Sequence, residues 1–337
     1  MSRGGRMIKV RRMGTWIRSE VLASLGLLFV FLLPLHSACV TVGAGSYSFG
    51  TANSFVVKAV PQTTIAPQLT SCTGILLNLL VLIAGQPPHL SATMVGSTNG
   101  FQLKNAAGDS IPYEVFADPG RQYQILPGTT FNYFQQTLLD LLGLLGNTSA
   151  AFNMHFATTT GRTVSAGTYT DSFQVQWSWH ICTLGAVVCL SHTEGTGITT
   201  MNLTLEVTET CEITSAPDIS FGQAPTPDSF SEVVNNVSVL CTKNATSFSV
   251  GLSPGQHPNG SGGRRMSSGT HFLEYNIYKD GGSKVWGDVG TDRVHGDGTP
   301  FDGLTPRALP YEARVTAAQP LVPQGNYTDS IVVDITF

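Results

Sequence analysis

The chain has 337 residues, of which only 12% are charged and 36 are glycine, enough length for two ordinary domains and a mixture that suits sheets and turns. Its formal net charge is −4, but six of the 18 basic residues and only Glu20 of the 22 acidic ones fall within the first 38, so the remainder carries 12 against 21, net −9. Such an acidic body gives no reason to expect nucleic acid as a partner, since cationic side chains supply most of that affinity.

Residues 1–38 read as an export signal. Arg3, Arg6, Lys9, Arg11, Arg12 and Arg18 form a basic lead, 21–35 is apolar, and His36-Ser37-Ala38 offers a cleavage site. Met13 is an alternative start. An uncleaved anchor is the competing reading, but an apolar run of about fifteen residues is short for a membrane span. Arg11-Arg12 is followed by Met-Gly-Thr rather than an apolar pair, which argues against a twin-arginine route. Cleavage after Ala38 would leave Cys39 at the N-terminus of the exported chain.

The first domain is expected over 39–207. Residues 40–42 and 54–60 read as early strands, and the apolar run 75–83 as a buried central strand. A hairpin is predicted from 101–104 and 111–117, with later strands at 152–157, 169–179 and 198–207. Between them, 131–146 does not read as strand. Its Leu138, Leu139, Leu141, Leu142, Leu144 and Leu145 would make a short helix apolar over most of its circumference. It either covers an open end of a sandwich or is offered to something outside. Downstream, Cys182 and Cys189 bracket a loop carrying Leu184, Val187 and Val188, apolar residues that a surface disfavours unless they pack or bind.

The second domain, 208–337, opens on a short linker at 208–215, with strands expected at 230–241, 247–252, 271–279, 284–286, 311–317 and 327–337. Its last segment repeats an earlier one. Residues 322–337 echo 164–179 at a constant offset of 158, sharing Tyr-Thr-Asp-Ser at 169–172 and 327–330. In the later copy Ile331, Val333, Ile335 and Phe337 alternate with more polar residues, placing four large apolar side chains on one sheet face. After the earlier copy the strand 198–207 follows; after the later copy the sequence ends. The expectation is that the first domain completes its sheet from its own chain and the second does not.

The repeat also orders the six cysteines. Cys39 and Cys211 each stand ten residues before a Phe-Gly pair, and Cys72-Thr73 matches Cys241-Thr242. The predicted disulfides are Cys39 with Cys72, Cys211 with Cys241, and Cys182 with Cys189. A lipidated Cys39 is the rival, but it would orphan Cys72, and His36 sits where a lipidation motif wants a leucine-like residue.

Little points to catalysis. Gly251-Leu-Ser-Pro-Gly255 matches the nucleophile-elbow pattern, but the residues after it cannot begin the helix that would expose Ser253. The eight histidines show no close metal spacing, and Asp288, Asp292 and Asp297 lack a calcium-loop pattern. Arg264-Arg265 is read as a structural or subunit contact in a flexible loop. No enzyme activity, metal or cofactor is expected.

The second half carries Cys211, Phe221-Gly222, Cys241, Phe248-Ser-Val-Gly-Leu-Ser-Pro-Gly255, Arg264-Arg-Met266, Leu273-Glu-Tyr-Asn-Ile-Tyr278, Trp286-Gly-Asp288 and Pro323-Gln-Gly-Asn-Tyr-Thr-Asp329. These closely resemble the spore coat protein U domain, found in pilins of archaic chaperone-usher systems. The first half shares Cys39, Cys72 and Ala166-Gly-Thr-Tyr-Thr-Asp171 but lacks Trp-Gly-Asp and Arg-Arg-Met; it is a divergent copy. The resemblance implies an all-β chain of two immunoglobulin-like antiparallel sandwiches, the C-terminal one lacking its last strand, in the layout of a tip adhesin.

It also implies the partners. A neighbouring pilin subunit would donate a strand to a groove lined by Ile331, Val333, Ile335 and Phe337, burying about four or five large side chains, on the order of 6 to 15 kcal/mol. A periplasmic chaperone would cover that groove first, and an outer-membrane usher would export the chain to the cell surface. With Cys39 at its N-terminus the chain would accept a strand but have none to give. The expected role is adhesion to a host or abiotic surface and biofilm formation, with Leu184, Val187 and Val188, or Leu138, Leu139 and Leu142, as the adhesive residues. The alternative is a coat protein or minor pilus subunit that binds no receptor.

Overall fold

The computed structural model describes residues 39–75, 83, 86–184 and 188–337. The expected signal peptide at 1–38, most of the expected strand at 75–83, and Val187 lie outside the described residues.

The first half comprises β1 (Cys39–Thr41), β2 (Ala44–Asn53), helix α1 (Ser54–Ala59), β3 (Thr63–Thr73), β4 (His89–Val95), β5 (Gln102–Lys104), β6 (Ser110–Phe116), β7 (Thr130–Asn132), helix α2 (Gln136–Leu141), β8 (Ser149–Thr158), β9 (Gly167–Leu184) and β10 (Ser191–Thr208). Its strands run in the order β1-β3-β8-β6-β5-β9-β10-β2, with β4 paired to β9 and β7 to β4. Period-two alternation explains how β9 holds this together. Tyr169, Asp171, Phe173, Val175, Trp177, Trp179 and Ile181 are buried while the residues between them are wholly or partly exposed. Beside β9, β10 pairs antiparallel along almost its whole length and offers its other edge to β2 in parallel.

The second half comprises β11 (Cys211–Ser215), β12 (Val233–Cys241), β13 (Ser249–Leu252), β14 (Arg264–Ser268), β15 (His271–Lys279), β16 (Lys284–Val285), β17 (Val294–His295), β18 (Arg307–Val315) and β19 (Val333–Thr336). One sheet is ordered β11-β12-β18-β15-β14 with β16 against β15, and the other β17-β13-β19. Each half has its own apolar core, one drawn from Cys39 to Val207 and the other from Cys211 to Ala313. The fold is all-β, built of immunoglobulin-like sandwiches.

Three local expectations fail for physical reasons. Residues 54–59 form α1 instead of a strand because the Asn53 side chain accepts from Val56 N at 2.9 Å, capping a helix that propensity alone disfavours. The linker expected at 208–215 contains β11, whose register sets Cys211 opposite Cys241. Arg264 and Arg265 lie in β14, not in a loop. Arg264 is buried and donates to the carbonyls of Leu252, Ser253 and Trp286 and to Asn276 Oδ1, and its burial holds its pKa below the usual arginine value. Arg265 donates to the carbonyls of His257 and Pro258 and lies over the Phe272 ring, 4.5 Å from its centroid.

The repeat reappears as geometry. Tyr169 Oη donates to the Ser165 carbonyl at 2.7 Å, and Tyr327 Oη to the Pro323 carbonyl at 2.8 Å, the same corner at the same offset. The sulfurs of Cys39 and Cys72, of Cys211 and Cys241, and of Cys182 and Cys189 are bonded, and no described cysteine is free. The two halves meet where Ser54 Oγ and Thr242 Oγ1 lie 2.7 Å apart, Asp109 pairs with Lys243, and Ser165 bridges Lys243.

Candidate functional site

The edge of β19 is where the two halves differ. In the first half β10 lies between β9 and β2. In the second, the counterpart of β9 is β19, which pairs with β13 on one side and with no described strand on the other. The counterpart of β2, residues 216–225, forms no strand. Ile219 and Phe221 there are only partly buried, whereas Phe49, the counterpart of Phe221, is buried.

Burial along the repeated strand shows the same gap. Phe173, Val175, Trp177 and Trp179 are all buried, while Ile331, Val333 and Ile335 are only partly covered. At the last position the contrast is widest: Trp179 is 8% exposed and Phe337 57%. An apolar row beside an unpaired backbone edge is a template for a further strand, because both the side chains and the free N–H and C=O groups gain by covering. The other edge of β19 is well anchored, since Arg293 donates to Asp334 at 2.6 Å and to the Ser249 carbonyl at 3.1 Å.

A second surface lies at the far end of the first half. β9 begins beside Ser165 at the junction and ends at Leu184, a run of about 55 Å at the usual rise per residue. Leu184, at the end of β9 away from Ser165, is therefore distal to the junction. Leu184 is 60% exposed, Val188 65% and Leu190 77%. Leu190, the most exposed of the three, is not among the residues the sequence singled out. The bracketing cysteines draw attention inward, and Leu190 lies just outside them.

The leucine-rich segment behaves otherwise, which corrects its adhesive reading. Leu138 and Leu139 are fully buried in the first core and Leu142 packs against it. The short α2 packs Leu138 and Leu139 into the core, and of the six leucines in the segment only Leu141 and Leu145 are exposed.

Ser253 is engaged in strand pairing. Its Oγ accepts from Val332 N at 2.9 Å and its backbone N–H donates to the Val332 carbonyl, so it continues the pairing of β13 with the strand leading into β19. Asp297 is used locally: its Oδ1 accepts from Thr299 N at 2.9 Å and from Arg307, and the Thr299 bond, foremost among these contacts, holds its carboxyl below the usual range.

Histidines that are remote in sequence converge near the distal loop. His180 and Glu194 are cross-strand partners on β9 and β10, with His180 Nδ1 3.3 Å from Glu194 Oε2. His192, two residues from Glu194 and hence on the same face, brings its ring centroid to 4.8 Å from that of His180. His89 on β4 stands opposite His180, the rings stacked at 6.0 Å. Burial, and then the neighbouring His180, holds the His89 pKa below its ordinary value. His180, His192 and Glu194 each present one ligand atom within 4.8 Å of the others. The His-x-Glu at 192–194 was the available signal, but His180 joins it only once the hairpin register is known.

Comparison with known proteins bears on both halves. The family model for the Spore Coat Protein U domain matches residues 27–176 and 198–334. No curated protein matches the sequence. Among solved structures, the chain is similar to one in the CsuC-CsuE chaperone-tip adhesion subunit pre-assembly complex from archaic chaperone-usher Csu pili of Acinetobacter baumannii. The TM-score is 0.62 at 20% identity, covering 89% of this chain and 100% of that one. A far weaker likeness, TM-score 0.33 at 11% identity, covers 88% of this chain and 93% of CfaE, the adhesive subunit of CFA/I fimbria of enterotoxigenic Escherichia coli.

Proposed function

The chain belongs to the Spore Coat Protein U domain family, and from that premise we propose that it is a non-enzymatic adhesin carried at the tip of a chaperone-usher pilus. It attaches cells to surfaces and promotes biofilm formation. The observation that carries this reading is the asymmetry between the halves: one covers its last core strand with β10, and the other leaves β19 open. An open edge of that kind is the acceptor for a strand from an adjacent pilin subunit, with Ile331, Val333, Ile335 and Phe337 lining the contact. A periplasmic chaperone would hold the same edge before an outer-membrane usher passes the chain outward. The similar fold from Acinetobacter baumannii, described as a tip adhesion subunit in complex with a chaperone, supports this assignment.

The first half would meet the surface with its distal end. Leu184, Val188 and Leu190 are the exposed apolar residues there, and the Cys182–Cys189 bond limits the ordering entropy lost on contact. Each would contribute up to roughly 1.5 kcal/mol when half covered. The test is replacement of all three by serine in the pilus-producing cell, scored for pilus assembly and for attachment. Assembled pili with reduced attachment are expected. Assembled pili with unchanged attachment would overturn the adhesive role and favour a minor structural subunit. Loss of pili upon deleting the chain, restored by the serine variant, would separate assembly from adhesion.

A further inference from the structure

We propose that His180, His192 and Glu194 form a binding site for a divalent transition metal of the zinc and copper class, on the outer face of the layer formed by β4, β9 and β10. This goes beyond the adhesive reading and does not depend on it.

The donor set selects the ion. Two imidazole nitrogens and one carboxylate oxygen suit Zn2+, Cu2+ or Ni2+, whereas Ca2+ and Mg2+ want oxygen ligands. The strands place all three side chains on the same side: His192 and Glu194 are two residues apart on β10, and His180 is the direct partner of Glu194 on β9. That face is the solvent face, because Trp179 and Ile181 on either side of His180 are buried. With metal–ligand bonds of about 2.0–2.2 Å, ligand atoms around one tetrahedral ion sit roughly 3.3 Å apart. The ligand atoms already lie within 4.8 Å of one another, and both His192 and Glu194 are exposed. Side-chain rotation alone closes the difference.

Two further observations describe the site. His180 turns Nδ1 toward Glu194, 3.3 Å from Oε2, so Nδ1 is the ring nitrogen placed to share an ion with the carboxylate, while Nε2 is buried with no hydrogen-bond partner among the described residues. The two strands that bear the ligands are also tied together by the Cys182–Cys189 bond, two residues beyond His180. The scaffold is thus held in register before any ion arrives. His89, stacked on His180, closes one side. Three protein ligands leave at least one coordination position open.

The test uses the full chain, purified without a polyhistidine tag and stripped with a chelator, titrated calorimetrically with Zn2+, Cu2+ and Ca2+. One Zn2+ or Cu2+ per chain with micromolar affinity, and no Ca2+ binding, is expected. His192→Ala and Glu194→Gln, both at exposed positions, should each weaken Zn2+ by at least about tenfold with melting temperature unchanged. Absence of saturable Zn2+ and Cu2+ binding, or affinity and stoichiometry retained in the double variant, would overturn the site. Because the readout is metal binding and not attachment, failure of this site would leave the adhesive reading untouched, and the reverse holds as well.

Discussion

Tyr275 Oη donates to Asp329 Oδ2 at 2.7 Å, joining β15 to the segment that leads into β19. The first half has the same bond at the same length, from Tyr113 Oη to Asp171 Oδ2. A buried tyrosine hydroxyl is thereby satisfied by a carboxylate, and the strand after each tyrosine corner is pinned across the sandwich. Asp329 also accepts from Gln256 N at 2.8 Å, so it anchors the segment that enters β19.

Removing the hydroxyl should loosen that segment. A hydrogen bond to a charged partner contributes about 1.5–3 kcal/mol, so Tyr275→Phe and Tyr113→Phe should each lower stability by that amount. Chemical denaturation measures it. A loss below about 0.5 kcal/mol for both would mean the carboxylates are satisfied by their other donors.

The buried tyrosines also set an alkaline limit. Burial, with the Asp171 and Asp329 bonds adding to it, raises Tyr113 and Tyr275 well above the usual tyrosine value of 10.0, and burial pushes Tyr169 up to about 12. Above pH 10 the unfolded chain releases these protons while the folded chain keeps them. Their contribution is therefore complete below pH 10 and is lost as pH rises towards 12. Melting temperature should vary little on their account from pH 7 to 9 and fall above 10. A flat profile to pH 11.5 contradicts the burial.

Arg264 ties β13, β14 and the turn after β16 through three backbone carbonyls. Arg264→Met keeps much of the volume but leaves those acceptors unsatisfied at about 1–3 kcal/mol each. A loss of about 3 kcal/mol or more is expected in denaturant melts. A smaller one would show that water replaces the guanidinium.

The two apolar segments of the first half should respond in opposite ways. Leu138→Ala opens a cavity in the core and should cost about 2–5 kcal/mol, whereas Leu184→Ser and Val188→Ser should change stability by no more than about 0.5 kcal/mol. Thermal melts of the three variants separate core from surface directly.

An added strand should stabilise the second half. Fusing a strand-forming segment of a partner pilin after Phe337 through a flexible linker should raise the melting temperature and reduce aggregation, since it would cover Val333, Ile335 and Phe337 and pair the edge of β19 that no described strand pairs. Equal stability and solubility with and without the fusion would argue that the edge needs no partner.

The sequence by itself determined the all-β class, the duplication and the pairing of the cysteines, because each rests on short-range pattern: period-two alternation, turn residues and a constant offset. Alternation also marked Ile331, Val333, Ile335 and Phe337 as one face. What the sequence left open was decided by contacts between distant residues. Whether Leu138 and Leu139 cover the core or face outward depends on whether the sandwich has an end for α2 to fill, and local hydrophobicity is the same in both cases. Helix α1 arose where β-branched residues suggested a strand, because one capping bond from Asn53 outweighed propensity. The meeting of His180 with His192 and Glu194 exists only in the register of β9 against β10. That register is set along the whole hairpin, so no spacing within the sequence could report it.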